Sequence, residues 1–299
     1  MNFTHAVTAS TFATALIVGP AAASPAGAEP YQVIYNWPLG VTVEPTLHPV
    51  AQGADDWSCR PSAAHPYPVV LVHALGPTSN DWQAAAPLLA NDGYCVFTPD
   101  YGGDNGQGDL AQSAAELSAY VDKVLAASGA RKVDLVGHSQ GGMFPRYYLK
   151  FLGGAQKVDA LIGIVPTNHG TTLYGAGNLI QAAPSATATT DEHFGPAYSE
   201  NLAGSPFLMK LNAGGDTVPG VRYVVIGTRY DDVATPYDSV FLTGSNVTNI
   251  LLQRQCALDH IDHLAASYDS IALHDVLNAL DPANATPPHC HLVLPAIGG

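Results

Sequence analysis

The stretch V-D-L-V-G-H-S-Q-G-G, residues 133–142, reads as a buried strand that runs directly into a sharp turn and then a helix. Val133, Leu135 and Val136 give the apolar run of a strand covered on both faces. Gly137 and Gly141 stand two residues before and two residues after Ser139. They remove the side chains that would collide where a strand doubles back into a helix, and such a turn pushes the Ser139 Oγ out of the sheet. It also leaves the backbone N–H of Gln140 at the first turn of the helix, aimed where an oxyanion would form. In a chain with 29 glycines the pentapeptide alone is a weak signal, and the flanking strand and helix are what make it specific. His138, the neighbour of the serine, is expected to point sideways into packing.

Working outward, P-V-V-L-V-H-A at residues 68–74 is a second continuous apolar run bounded by turn residues, the pattern of a central strand. A helix is expected over 82–91, a strand over 94–98 and a long glycine-rich loop after it. Residues 110–128 place Leu117, Tyr120, Val121, Val124 and Leu125 at helical spacing, with Gly129 as the stop. A helix is predicted over 143–152, strands over 157–165 and 221–227, a strand or loop over 247–258, and a last helix over 268–280. This alternation calls for a mostly parallel central sheet with helices on both faces, because each parallel return needs a crossover. Residues 29–66 are rich in Pro and Gly and are expected to form an extended arm. Periodicity is lost over 167–219, which is expected to form a helical or loop insertion, the wall and lid of a site, within a single domain spanning 29–299, with Leu202, Phe207, Leu208, Met209 and Leu211 forming a short amphipathic piece.

Composition narrows the function classes. With 299 residues and 47% hydrophobic side chains, the chain has ample apolar area for a large core. Its formal charge of -14 repels nucleic-acid phosphates and anionic membrane surfaces at long range, so nucleic acid is excluded as a partner. The glycines of residues 101–109 are followed by no lysine and do not suggest a phosphate loop. Residues 1–28 are small, apolar and free of acidic groups, as in an export signal with a cut before Glu29. The alternative is an Ala-rich tail that is never removed. No later apolar run reaches the about 20 residues that would span a bilayer. A secreted body with an even cysteine count is expected to carry disulfides. Three pairings are open, and Cys59–Cys95 with Cys256–Cys290 is favoured because each ties neighbouring segments at one end of the domain.

A serine hydroxyl becomes nucleophilic when a neutral imidazole takes its proton and a carboxylate holds the other ring nitrogen. After the late strand at 221–227, the run T-R-Y-D-D offers Asp231 and Asp232, with Asp238 a weaker third. Spacing from the strand does not separate the two neighbours. Further on, D-H-I-D-H offers His260 and His263 ahead of the last helix, with His274 as an outside candidate inside it. The same five residues hold two imidazoles and two carboxylates. They lack both the H-E-x-x-H spacing and an obvious third ligand, so neither a metal nor another cofactor is expected.

The stretches V-V-L-V-H-A-L-G, N-D-W, G-Y-C-V-F-T-P-D-Y-G, V-D-L-V-G-H-S-Q-G-G, T-R-Y-D-D-V-A-T-P-Y and I-D-H cover about two thirds of the chain, residues 68–268. Together they resemble the α/β-hydrolase superfamily and, within it, the secreted bacterial triacylglycerol lipases of class 2, which are similar to the yeast lipase B type. The resemblance implies an α/β-hydrolase fold and a Ser139–His263–Asp231 triad. It implies an oxyanion hole built from the N–H groups of Leu75 and Gln140, and an esterase chemistry that needs no cofactor. Ala74 stands where the family usually has glycine, and Leu75 where a threonine is common, so the hole lacks a hydroxyl donor. The expected substrate is a hydrophobic lipid ester, met by a monomer at a lipid–water interface. The runners-up are a carboxylesterase for short soluble esters, a polyester depolymerase, and a secreted binding protein on an inactive hydrolase scaffold.

Overall fold

The computed structural model of the chain describes residues 29–299. The export segment expected over 1–28 lies outside the described residues. Six strands, β1 (Val69–Val72), β2 (Val96–Phe97), β3 (Val133–His138), β4 (Val158–Ile164), β5 (Arg222–Gly227) and β6 (Val247–Leu251), form one sheet in the order β2-β1-β3-β4-β5-β6. Every neighbouring pair runs parallel. The order reverses between β1 and β3, because the chain leaves β1 towards one edge and returns to build the other. Such a reversal opens a crevice at the carboxyl ends of the strands, where ligands of open α/β sheets bind.

The helices are α1 (Trp37–Thr42), α2 (Glu44–Leu47), α3 (Ala85–Asn91), α4 (Leu110–Ser128), α5 (Gln140–Met143), α6 (Pro145–Phe151), α7 (Ala176–Ala182), α8 (Pro184–Phe194), α9 (Pro196–Glu200), α10 (Pro206–Asn212), α11 (Leu252–Gln255) and α12 (Ser270–Leu280). Alternate strand residues face opposite layers. Val69, Leu71, Val136, Ile162 and Ile226 pack with α3 and α12, whereas Val70, Val72, Leu135, Leu161 and Val225 pack with α4 and α6. Covering both faces is what makes these strands read as unbroken apolar runs. Helix α4 has the bounds its periodicity predicts. Asp109 caps its first turn by accepting from the Gln112 N–H, and Gly129 ends it at φ 74°, in the left-handed region.

Two expectations need correction. The arm over 29–66 is not wholly extended: Asn36 caps α1 by accepting from the Leu39 N–H, and Pro38 and Pro45 supply helix-ready φ values in the first turns of α1 and α2. The helix expected over 143–152 starts at Gln140 and is divided at Phe144, since Pro145 lacks the N–H that would continue it. Within the helical or loop insertion expected over 167–219 lie α7 to α10, and α10 holds the amphipathic residues Phe207, Leu208 and Leu211. Pro184, Pro196 and Pro206 open three of these helices, and α8 buries no residue, so no apolar stripe was there to be read. The disulfides join Cys59 to Cys95 and Cys256 to Cys290, with Cα separations of 5.7 and 5.1 Å. The first ties the segment before β1 to the start of β2, and the second ties the end of α11 to the carboxyl-terminal tail.

Asp134 is buried within β3, at the irregularity where β3 meets β4, and its carboxylate accepts the Ala160 N–H at 2.9 Å. Burial, reinforced by Asp159, pushes its pKa up to about 7. A carboxyl whose pKa rises on folding contributes fully below its unfolded value and loses that contribution as pH climbs through the folded one. Asp134→Asn keeps an acceptor for Ala160 without the charge. It is expected to match wild type in urea unfolding at pH 4 and to exceed it at pH 8 by about 1–4 kcal/mol. An advantage that does not grow with pH would contradict this account.

Candidate active site

Ser139 sits between β3 and α5 at φ 54° and ψ -122°, a strained backbone for a residue with a side chain. The strain is held by close backbone packing. A Cβ on Gly141 would run into the carbonyls of Val72 and His73 at the end of β1, and a Cβ on Gly137 would run into the Gly141 backbone. The Ser139 N–H donates to the Ile164 carbonyl of β4 at 2.9 Å, which fixes the turn to the sheet.

The Ser139 Oγ lies 2.7 Å from His263 Nε2. His263 Nδ1 lies 3.0 Å from each oxygen of Asp231. Asp231 follows β5, and its Oδ1 also accepts the N–H groups of Val233 at 3.0 Å and Ala234 at 2.6 Å, so the carboxylate is held in place before the imidazole meets it. All three side chains are buried. Asp232 is exposed, and one of its oxygens is only a distant acceptor for the His263 N–H, at 3.4 Å. Asp238 is exposed on a short turn, His260 packs its ring on Tyr230, and His274 contacts the Thr286 carbonyl; none of these joins Ser139. Geometry therefore separates neighbours that spacing left equivalent.

The base-bearing loop is pinned from several directions. The Thr228 hydroxyl donates to the Ile261 carbonyl at 2.9 Å, the Gln253 amide to the Asp259 carbonyl at 3.2 Å, and the His260 N–H to Val293 of the disulfide-tied tail at 3.1 Å. Asp259 and Asp262 are used on backbone N–H groups of Ile261, Ala265 and Ala296. The D-H-I-D-H cluster is thus occupied in holding its own loop, and among the described residues no group of three or more His, Cys, Asp or Glu side chains is arranged for a metal.

Leu75 follows β1, and Gln140 opens α5 directly after β3 and Ser139. Among the described residues, neither of their N–H groups is donated to another protein acceptor. The loop carrying Leu75 is braced: the Gly76 N–H donates to the Asn105 carbonyl at 2.8 Å, and the Tyr101 hydroxyl donates to the His73 carbonyl at 2.7 Å. His73 donates from Nδ1 to the Ala74 carbonyl at 2.8 Å, and burial pulls its pKa down, so the ring stays neutral. The Gln140 side chain, which the sequence did not single out, donates to the Gly106 carbonyl at 2.7 Å and accepts from Asn201 at 2.6 Å. It thereby links the elbow, the glycine-rich loop and the segment over 167–219. No spacing rule reveals partners 34 and 61 residues away. Above Ser139 lies a mainly apolar cavity of about 280 Å³, walled by Trp37 of α1, by Leu75, Leu173, Leu202 and Val233, and by Leu264 beside the base.

Residues 67–204 match the family described as alpha/beta hydrolase fold. A triacylglycerol lipase of Burkholderia plantarii is 39% identical over 105 residues, which is 33% of this chain and 28% of that protein. One from Pseudarthrobacter phenanthrenivorans is 40% identical over 91 residues, 28% of each chain. The matches thus span under a third of the length of these relatives. Among solved structures, Aspergillus fumigatus lipase B superposes with a TM-score of 0.57 at 20% identity, over 80% of this chain and 61% of that one. A Bacillus licheniformis lipase in its mature form gives 0.55 at 18% identity, over 74% and 94%. The parallel sheet flanked by helices is the α/β-hydrolase fold, with insertions.

A hydroxyl 2.7 Å from an oriented imidazole is expected to react with a fluorophosphonate. Peptide mapping of the labelled chain should find the adduct on Ser139. Labelling should slow by about 10³-fold or more in His263→Ala and by less than about tenfold in Asp232→Asn. An adduct at another serine, or undiminished labelling in His263→Ala, would refute the reading of this geometry.

Proposed function

We propose that this chain, α/β-hydrolase in fold, is a carboxylic ester hydrolase, and more narrowly a secreted triacylglycerol lipase of the bacterial class 2 and lipase B type. The observation that carries the reading is the continuous hydrogen-bonded line from Ser139 through His263 to Asp231 at the base of an apolar cavity. Kinship in sequence to two triacylglycerol lipases supports the substrate class. Two disulfides accord with an oxidising compartment and hence with residues 1–28 acting as an export signal.

Ser139 Oγ attacks the ester carbonyl while His263 Nε2 takes its proton, and Asp231 stabilises the imidazolium that forms. The N–H groups of Leu75 and Gln140 donate hydrogen bonds to the oxyanion of the tetrahedral intermediate. His263 then returns the proton to the departing alcohol. Water repeats the sequence on the acyl-enzyme, releasing the acid and restoring Ser139. Every proton moves between side chains of the chain and the substrate. The apolar walls suit an uncharged acyl chain. Leu173, Tyr174, Leu179 and Phe194, exposed on the segment over 167–219, suit a lid that meets a lipid–water interface. A carboxylesterase acting on short esters is the second reading, favoured by a cavity at the low end of the size of small-molecule sites.

Ser139→Ala is expected to lower kcat/KM on p-nitrophenyl butyrate by about 10⁴-fold or more with the circular dichroism spectrum intact. Retained turnover in that variant would defeat the proposal. Hydrolysis of emulsified long-chain triacylglycerol at a rate comparable to tributyrin separates lipase from esterase; collapse of the rate beyond short soluble esters would favour the second reading.

A further inference from the structure

His138, one residue before Ser139, is not mere packing. Its side chain and that of Asp81 are both almost fully buried, with 2% and 3% residue exposure. His138 Nε2 lies 2.9 Å from the backbone carbonyl of His263, and His138 Nδ1 lies 3.1 Å from Asp81 Oδ2. We propose that Asp81 and His138 form a buried positioning pair that anchors the main chain of His263 to the nucleophile turn. Adjacent residues of that turn would then grip the base at both ends: Ser139 meets its ring and His138 holds its carbonyl.

The proton count follows from the chemistry of the partners. A carbonyl only accepts, so Nε2 of His138 carries a hydrogen. A bare Nδ1 would then aim a lone pair at a carboxylate oxygen, and two acceptors do not hold each other in a dry interior. A further proton therefore lies on the Asp81–His138 line. Burial alone would strip it from the ring, but the hydrogen bond and charge of Asp81 outweigh burial and hold the His138 pKa above the ordinary histidine range. The other groups facing this pair point the same way or are neutral. Asp231, beyond β5, favours the imidazolium, and the His263 ring lies 5.5 Å away. His73 at the end of β1 is held neutral by burial, while burial, with the charge of Asp81 added, raises Tyr101 and Tyr268 so that they keep their phenol protons.

Asp81 comes from a short helical turn, Ser79–Trp82, just after β1, and Trp82 beside it is fully buried. The link therefore ties the loops after β1 and β3 to a base more than 120 residues later. A nucleophile and base displaced by about 1 Å can lose 10²-fold in rate, which sets the scale of what such an anchor controls. With a folded pKa raised above the ordinary histidine value, the charged pair is complete below that ordinary value and is lost as pH rises through the folded one.

The inference rests on the ester-hydrolase reading for its kinetic consequence, but its structural part is read without turnover. In the full chain with ¹⁵N-labelled histidine, a pH titration should find both His138 nitrogens still protonated beyond the pH at which an ordinary histidine loses its proton. In Asp81→Asn the carboxamide donates to Nδ1 of a neutral ring, so the Nε2–H tautomer should replace the cation while the carbonyl contact persists. On p-nitrophenyl butyrate, Asp81→Ala should lower kcat by about 10- to 100-fold with KM within about threefold. Asp81→Asn should recover most of that loss and should move the alkaline fall of kcat to higher pH. A wild-type His138 that loses its second proton at or below the ordinary histidine midpoint, or kcat in Asp81→Ala within twofold of wild type, would overturn the inference. Should Asp81→Ala fail to fold, the tautomer and pH profile of Asp81→Asn decide. Loss of turnover in Ser139→Ala together with no effect at Asp81 would defeat this inference alone; undiminished turnover in Ser139→Ala would defeat the ester-hydrolase reading and leave the ring protonation standing.

Discussion

The backbones of β1, β3 and α5 approach so closely that the contact is possible only because residues 137, 141 and 142 have no side chains. That contact forces Ser139 into a positive φ and turns its hydroxyl out of the sheet. The cost of the strain, of order 1–3 kcal/mol, is met by the large core on both faces of the sheet. The same contact sets the distance between the loop that carries Leu75 and the amide of Gln140, so any shift there would change the hydroxyl and the two N–H groups together.

The imidazole has a different support. His263 lies on an irregular loop, and a loop by itself gives poor positional control. Here the loop is fastened by Thr228 and Gln253 from the β5 and β6 side, by Val293 from the tail, and by His138 from the nucleophile turn. The Cys256–Cys290 bond keeps that tail beside α11, within reach of the loop. Precision at the base is thus assembled from contacts that converge on a short stretch of backbone. Asp231 is prepared in the same manner, with two backbone N–H groups fixing its carboxylate.

The cavity combines parts of unlike rigidity. Its floor belongs to the sheet and the nucleophile turn, while its walls come from α1 and from the segment over 167–219. Asn201 bonds the Gln140 side chain, and Arg146 of α6 reaches the carbonyl and side chain of Asn168 and the side chain of Asn212. The roots of that segment are therefore tied to the helices that follow the nucleophile. Helix α8, with no buried residue, has no comparable tie to the core.

The local chain determined the elements whose signal is local. Residues 133–142 announced a strand, a turn and a helix because glycine at fixed offsets has a steric meaning that no distant residue can alter. Helix α4 was legible to its ends because one long stripe, an Asp cap and a glycine stop all agree. The helices between Ala176 and Glu200 were not, since they are short and bury almost nothing, whereas Phe207, Leu208 and Leu211 marked the buried face of α10. Nor could spacing choose between Asp231 and Asp232. That choice depends on which carboxylate the backbone N–H groups of Val233 and Ala234 turn towards the ring. The same holds for Asp81 and His138, 57 residues apart. Their pairing exists because the parallel order of β1 and β3 puts the ends of the two strands side by side, and only the folded chain brings a carboxylate, an imidazole and a carbonyl from three separate loops within hydrogen-bonding distance.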